Sequence, residues 1–365
     1  MRGYLSISPN IHNFGTQEAS RFSPTGNKYY IHLTKNLTKM GFLKKLFTGK
    51  DDTEEEKQEK NFDILKYDGI KAISSCGCNI DYAIACFNRA LDIKDDTETR
   101  TYLAKAHMAK GDLQEAAEQY RILMDAEPNE PLHPIRLAQV AYQMEDYDTM
   151  GEACRQALEI NGALAMPHHM LAMKAKAQGD LLNAIVESTK AISAKEDFYD
   201  AYMLRAQTLC AMQQFAEAEK DIDLIMENAE PTEDIVMEKA RISAALGKAD
   251  EATTLFRQII EYNPFSIGAY VSLATVLTQQ DKCDDAIALI NDGLEQMPDC
   301  AELYKARGAI KYHQGDKTGA AEDMKRALEL APEEAERLSG EYTNFKEKML
   351  EAYNAINPYN FGVKI

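Results

Sequence analysis

The sequence predicts an all-α fold, a solenoid of about eight stacked helical hairpins. Three observations carry that expectation. A period of 34 residues runs through most of the 365-residue chain. Within each period, apolar residues recur at steps of three and four, the spacing of one helical face rather than of a strand. Each period divides into two such helical stretches joined by a short turn, often at Gly.

The repeats begin near residue 64 and then at 97, 131, 165, 199, 233, 267 and 301, with a one-residue slip between the first two. In the first helix of each, a small residue recurs: Ala104, Ala138, Ala172, Ala206, Ala240, Ala274 and Gly308. The second helix carries Ala83, Ala116, Ala184, Ala218, Ala252, Ala286 and Ala320, with Met150 taking that place in the third copy. Four residues later comes a larger residue, such as Phe87, Tyr120, Ile222, Phe256, Ile290 or Met324. Three further on stands Ala90, Leu123, Ala157, Ala191, Ile225, Ile259 or Ala327. Small residues let antiparallel helices approach to the roughly 8–10 Å of close packing.

The turns follow the same frame. Gly111, Gly179, Gly247 and Gly315 suit the left-handed residue that ends a helix, whereas Glu145, Gln213 and Asp281 occupy that place in other copies. Asp112, Asp180 and Asp316 come next and are expected to cap the second helix. Pro128, Pro264, Pro298 and Pro332 close their copies, because proline cannot continue a helix.

From about Asp63 to Glu334, this pattern resembles the tetratricopeptide repeat (TPR) family. The family's frequent Trp early in the first helix is replaced by Tyr67, Tyr202, Tyr270 and Tyr304, and by His168 in one copy. The resemblance implies a right-handed superhelix with first helices inside and second helices outside. One hairpin cannot bury its apolar face alone, so copies stack, and the array presents a long groove rather than a catalytic pocket. The implied function is a non-catalytic scaffold or adaptor that holds a partner's peptide or helix in that groove.

Outside the array the period stops. Residues 1–39 lack a steady pattern and are expected to be a disordered or non-native extension; Met40 opens MGFLKKLFTGK, which resembles a natural start. Residues 40–62 are read as a basic amphipathic segment followed by an acidic linker. Phe42, Leu43, Leu46 and Phe47 beside Lys44, Lys45 and Lys50 suit either weak membrane-surface association through residues 40–50 or docking on the array. A membrane-surface assembly factor is therefore the alternative reading, and an accessory subunit of an enzyme complex a further one. Residues 335–365 are read as a capping helix, Leu338 to Ala355, and a tail.

The charge narrows the partners. The net charge is −18, to which residues 1–50 contribute +7 and the rest −25. So acidic a body repels phosphate backbones, which argues against nucleic acid. The seven cysteines (76, 78, 86, 154, 210, 283 and 300) fall mostly in apolar helical patterns, and Cys76-Gly-Cys78 lacks a redox or zinc spacing. A reducing, cytoplasmic setting is expected, with residues 40–50 offering peripheral contact to a membrane surface. No cofactor or metal is expected, since phosphate-loop, dinucleotide, serine-elbow and paired-Cys patterns are missing. His168 and His169 point about 100° apart on a helix and do not suit a shared metal; His168 and His107 are read as packing residues, and His313 lies near a turn.

Some TPR proteins hold a terminal carboxylate with a Lys/Asn/Arg clamp on successive first helices. The corresponding positions here are Thr101, Lys105, Arg136, His169, Met173, Leu204, Met237 and Arg241, with no Asn, so that clamp is not expected. The candidate groove residues are instead Met108, Gln139, Tyr142, Met166, Met173, Lys176, Met203, Gln207, Met237 and Arg241. Methionine suits adaptable apolar contacts and equally fills cores, so each Met has both readings.

Overall fold

The computed structural model describes residues 53–74 and 79–331. The extension 1–39, the segment 40–50, Cys76 and Cys78, Pro332 and the expected capping helix lie outside the described residues. The described residues form sixteen α-helices and no strand. They run α1 Glu54–Ser74, α2 Ile80–Ile93, α3 Thr97–Lys110, α4 Leu113–Ala126, α5 Leu132–Gln143, α6 Tyr147–Ile160, α7 Ala165–Ala177 and α8 Leu181–Ala194. Then follow α9 Tyr199–Ala211, α10 Phe215–Asn228, α11 Glu233–Ala245, α12 Ala249–Tyr262, α13 Ile267–Gln279, α14 Cys283–Gln296, α15 Ala301–His313 and α16 Lys317–Leu330. These are eight consecutive pairs in the expected 34-residue frame.

The chain divides into two compact units, one ending at Asp146 and the other beginning at Tyr147. In each, the repeated small residues are where the helices meet. Ala83, Ala116, Ala184, Ala218, Ala252 and Ala286 are wholly buried, and Met150 is equally buried where it replaces Ala. The first unit centres on Ala83, Phe87, Leu103 and Ala106. Gly69 of α1 lies so close to Phe87 that an added Cβ would stand 2.5 Å from the ring, so no larger residue fits without repacking. In the second unit, the cores around Ile222 and Phe256 repeat the same scheme.

The turns confirm the frame at atomic level. Gly111, Gly179, Gly247 and Gly315 have φ between 77° and 90°. Glu145, Gln213 and Asp281 take the same left-handed conformation, with φ of 58°, 61° and 60°, although each carries a Cβ. Tertiary packing therefore imposes this turn whether or not Gly is present.

Two local expectations are corrected. The acidic stretch after residue 50, expected as a solvated linker, is helical from Glu54. Thr53 and Glu56 form a reciprocal capping box: Thr53 Oγ1 accepts from the Glu56 N–H at 3.3 Å, and Glu56 Oε2 accepts from the Thr53 N–H at 3.0 Å. Glu54, Glu55 and Glu56 then sit at the positive end of the helix dipole. Secondly, Asp180 and Asp316 cap their helices, but Asp112 makes no capping bond. Its carboxylate turns to Lys110 at 3.2 Å and His107 at 3.3 Å.

Candidate functional site

In the second unit, the first helices α7, α9 and α11 lie side by side, with α11 next to α13. Because the repeat is 34 residues, equivalent side chains form rows across these helices. One row is His169, Met203 and Met237; the next is Met173, Gln207 and Arg241; Lys176 and Cys210 stand one turn further on.

The first row is the deeper one. His169 is buried with its ring centroid 5.0 Å from that of Phe198. Burial lowers its pKa to about 4, so the imidazole is neutral near pH 7. Met237 belongs to the core, and Met203 packs half-buried against the neighbouring core around Tyr202 and Ile222. Met166 lies against Phe198 and Ala201. Met173 and Gln207 are half-buried in the outer row, with Arg241, whose guanidinium is 4.0 Å from Glu238.

Lys176 Nζ donates to Gln207 Oε1 at 2.7 Å. Burial holds this ammonium below the ordinary lysine value, while Glu238 and Cys210 pull in the other direction. Cys210 is pushed up to about 12 by burial and by Glu238, so its thiol is not activated. Among the described residues no group of three His, Cys, Asp or Glu is placed to hold a metal ion. No helix among them is long and apolar enough to cross a membrane.

Met108, Gln139 and Tyr142 belong to the first unit. Tyr120 donates its hydroxyl to Met108 Sδ at 3.6 Å, and Arg136 Nη1 donates to Gln139 Oε1 at 3.0 Å. Tyr142 is half-buried. These three engage their own surroundings within the first unit.

Sequence reasoning missed a set of ion pairs behind the first helices. Arg205, Lys239 and Arg307 occupy the frame position held by Leu103, Leu137 and Leu273 in other copies. Arg307 binds Asp323 through Nε at 2.9 Å and Nη2 at 2.6 Å, as Arg205 does Asp221. Lys239 bridges Glu219 at 2.8 Å and Asp223 at 2.6 Å. A cavity of about 490 Å³ beside Lys239 is lined by those acids with Met226 and Leu255. The signal was available: an Asp follows each Arg by 16 residues, from the first helix to the second of the same hairpin.

Family models of the tetratricopeptide repeat match residues 101–164 and 243–310, stretches that lie within the hairpins described above. The chain is a tetratricopeptide repeat protein. This TPR protein is similar in fold to one from Parabacteroides merdae, with a TM-score of 0.54 and 22% identity over 72% of this chain and 98% of that one. A TPR repeat-containing protein from Cytophaga hutchinsonii, solved as its C-terminal part, gives 0.53 and 17% over 70% and 99%. Among curated proteins, DnaJ homolog subfamily C member 3 of Gallus gallus is 24% identical over 206 residues, 52% of this chain. This TPR protein spans 40% of that relative's length.

Proposed function

We propose that this TPR protein is a non-catalytic scaffold that captures a segment of a protein partner on the face formed by α7, α9 and α11. The observation that supports it is the outer row, Met173, Gln207 and Arg241, with Lys176 beside it. These side chains are half-exposed at equivalent positions of adjacent helices, and they combine a soft apolar group with hydrogen-bonding and cationic ones. Met237, in the core, and Met203, packed against the neighbouring core, give the face an apolar floor that is already largely buried before binding. Activated nucleophiles are not part of the face, since its buried histidine is neutral and its cysteine thiol is raised.

A photo-crosslinking amino acid placed at residue 173 or 241, and at the exposed Thr254 of α12 as a control, tests this reading. Partner adducts are expected from 173 and 241 and not from 254. Adducts from 254 alone, or from none of the three, would place the binding surface elsewhere.

A further inference from the structure

Lys176 differs from Arg205, Lys239, Arg307 and Lys311 in the same unit. Arg205, Lys239, Arg307 and Lys311 each hold a carboxylate within 2.9 Å. Lys174, two residues away on α7, reaches Asp148 at 3.1 Å. Lys176 instead donates to the neutral amide of Gln207, and among the described residues no carboxylate lies within ion-pair distance of it. An ammonium that is partly desolvated and lacks an ionic partner costs stability.

The amide geometry indicates what is missing. An ammonium is a donor only, so Gln207 must turn its oxygen toward Nζ, which directs its NH₂ group away. Lys176 retains two further N–H donors. The pair therefore offers several donors and a positive charge on the same face as Met173. A neutral or basic ligand would leave the ammonium without a direct ionic partner, with only the more distant Glu238 acting on it, whereas a carboxylate satisfies charge and donors together.

We propose that Lys176 and Gln207 form a subsite for the side-chain carboxylate of an Asp or Glu carried within an otherwise apolar partner segment. This deepens the binding reading above and rests on it. A side-chain carboxylate fits better than a chain terminus because only this Lys–Gln pair converges here. Elsewhere the face carries Met173, Met203 and Met237 with the neutral His169 and with Arg241, which lies by Glu238; Glu238 also attracts the Lys176 ammonium but stands beyond ion-pair distance of it. The cost of holding Lys176 partly dry is then offset when the partner binds.

The probe is a random dodecapeptide display library selected on the full chain, followed by synthesis of the most enriched peptide with either a free or an amidated C-terminus. The expected peptides are apolar with one Asp or Glu, and Met173→Ser weakens them. Lys176→Met should weaken the acidic peptide at least tenfold. It should leave the Glu→Gln or Asp→Asn version of the peptide unchanged and melt no lower than the parent. Acidic peptides indifferent to Lys176→Met, or selected apolar peptides without an acid, would overturn the subsite and leave the face intact. Loss of binding on C-terminal amidation, with no effect of removing the side-chain acid, would assign the subsite to a terminus and overturn the proposal. A marked fall in Tm for Lys176→Met would make the ammonium structural and also overturn it. Peptides unaffected by Met173→Ser, or no enrichment at all, would overturn the face reading itself.

Discussion

Arg205 and Asp221 meet in a two-pronged ion pair, Nε to Oδ2 at 2.8 Å and Nη2 to Oδ1 at 2.6 Å, between the two helices of one hairpin. Arg205 Nη1 also donates to Thr189 Oγ1 of α8 at 3.0 Å, linking that hairpin to the preceding one. Asp221 is buried, and Arg205 is the cation that faces it. Both residues stand in frame positions that hold Leu273 and Leu289 two copies later.

Arg205→Leu alone should therefore destabilise the second unit by about 3 kcal/mol, because it strands a buried carboxylate. Adding Asp221→Leu, which copies the Leu273/Leu289 arrangement, should restore most of that loss. Denaturant unfolding of the two single variants and the double variant forms a complete cycle. A double variant no better than Arg205→Leu would show that the ion pair is not the source of the cost.

Glu145, Gln213 and Asp281 hold left-handed turns that Gly holds elsewhere. Replacing any one by Gly removes the Cβ clash of that conformation, worth about 1 kcal/mol. Each single variant should gain only a small net stability, because the extra freedom of unfolded Gly takes back roughly 0.4–1 kcal/mol. Melting curves that fall below the parent would mean that the side chain makes a contact outweighing the strain.

His169 supplies a pH dependence. Its pKa falls from the ordinary 6.5 to about 4 in the folded chain because the ring is buried. The unfolded chain therefore takes up this proton first as pH falls. The contribution is fully present above pH 6.5 and is lost between there and pH 4, by on the order of 3 kcal/mol. Unfolding free energies of the parent and His169→Phe, measured from pH 7 to pH 4, isolate this from the carboxylates common to both. The parent should lose stability more steeply, and parallel curves would refute the assignment.

Helix pairing, the hairpin frame and the buried small residues were all legible in the sequence. The 34-residue period specifies which residues share a face, and Ala or Gly at a contact allows only a close approach. The turn at Gln213 was legible by frame even without Gly. The capping box Thr53-x-x-Glu56 was also written in the sequence, but the density of acidic residues around it suggested a solvated linker. Period alone does not say what lies opposite a face. It took the tertiary structure to send the Asp112 carboxylate to Lys110 and His107 instead of the helix end. The same is true of the division of the methionines, with Met237 in the core and Met173 in the outer row. Lys239 finds its acids 16 and 20 residues back, and Lys176 finds Gln207 31 residues ahead, across hairpins. Such polar partners depend on short-range geometry of a few ångströms, which stacked helices set and a one-dimensional period does not.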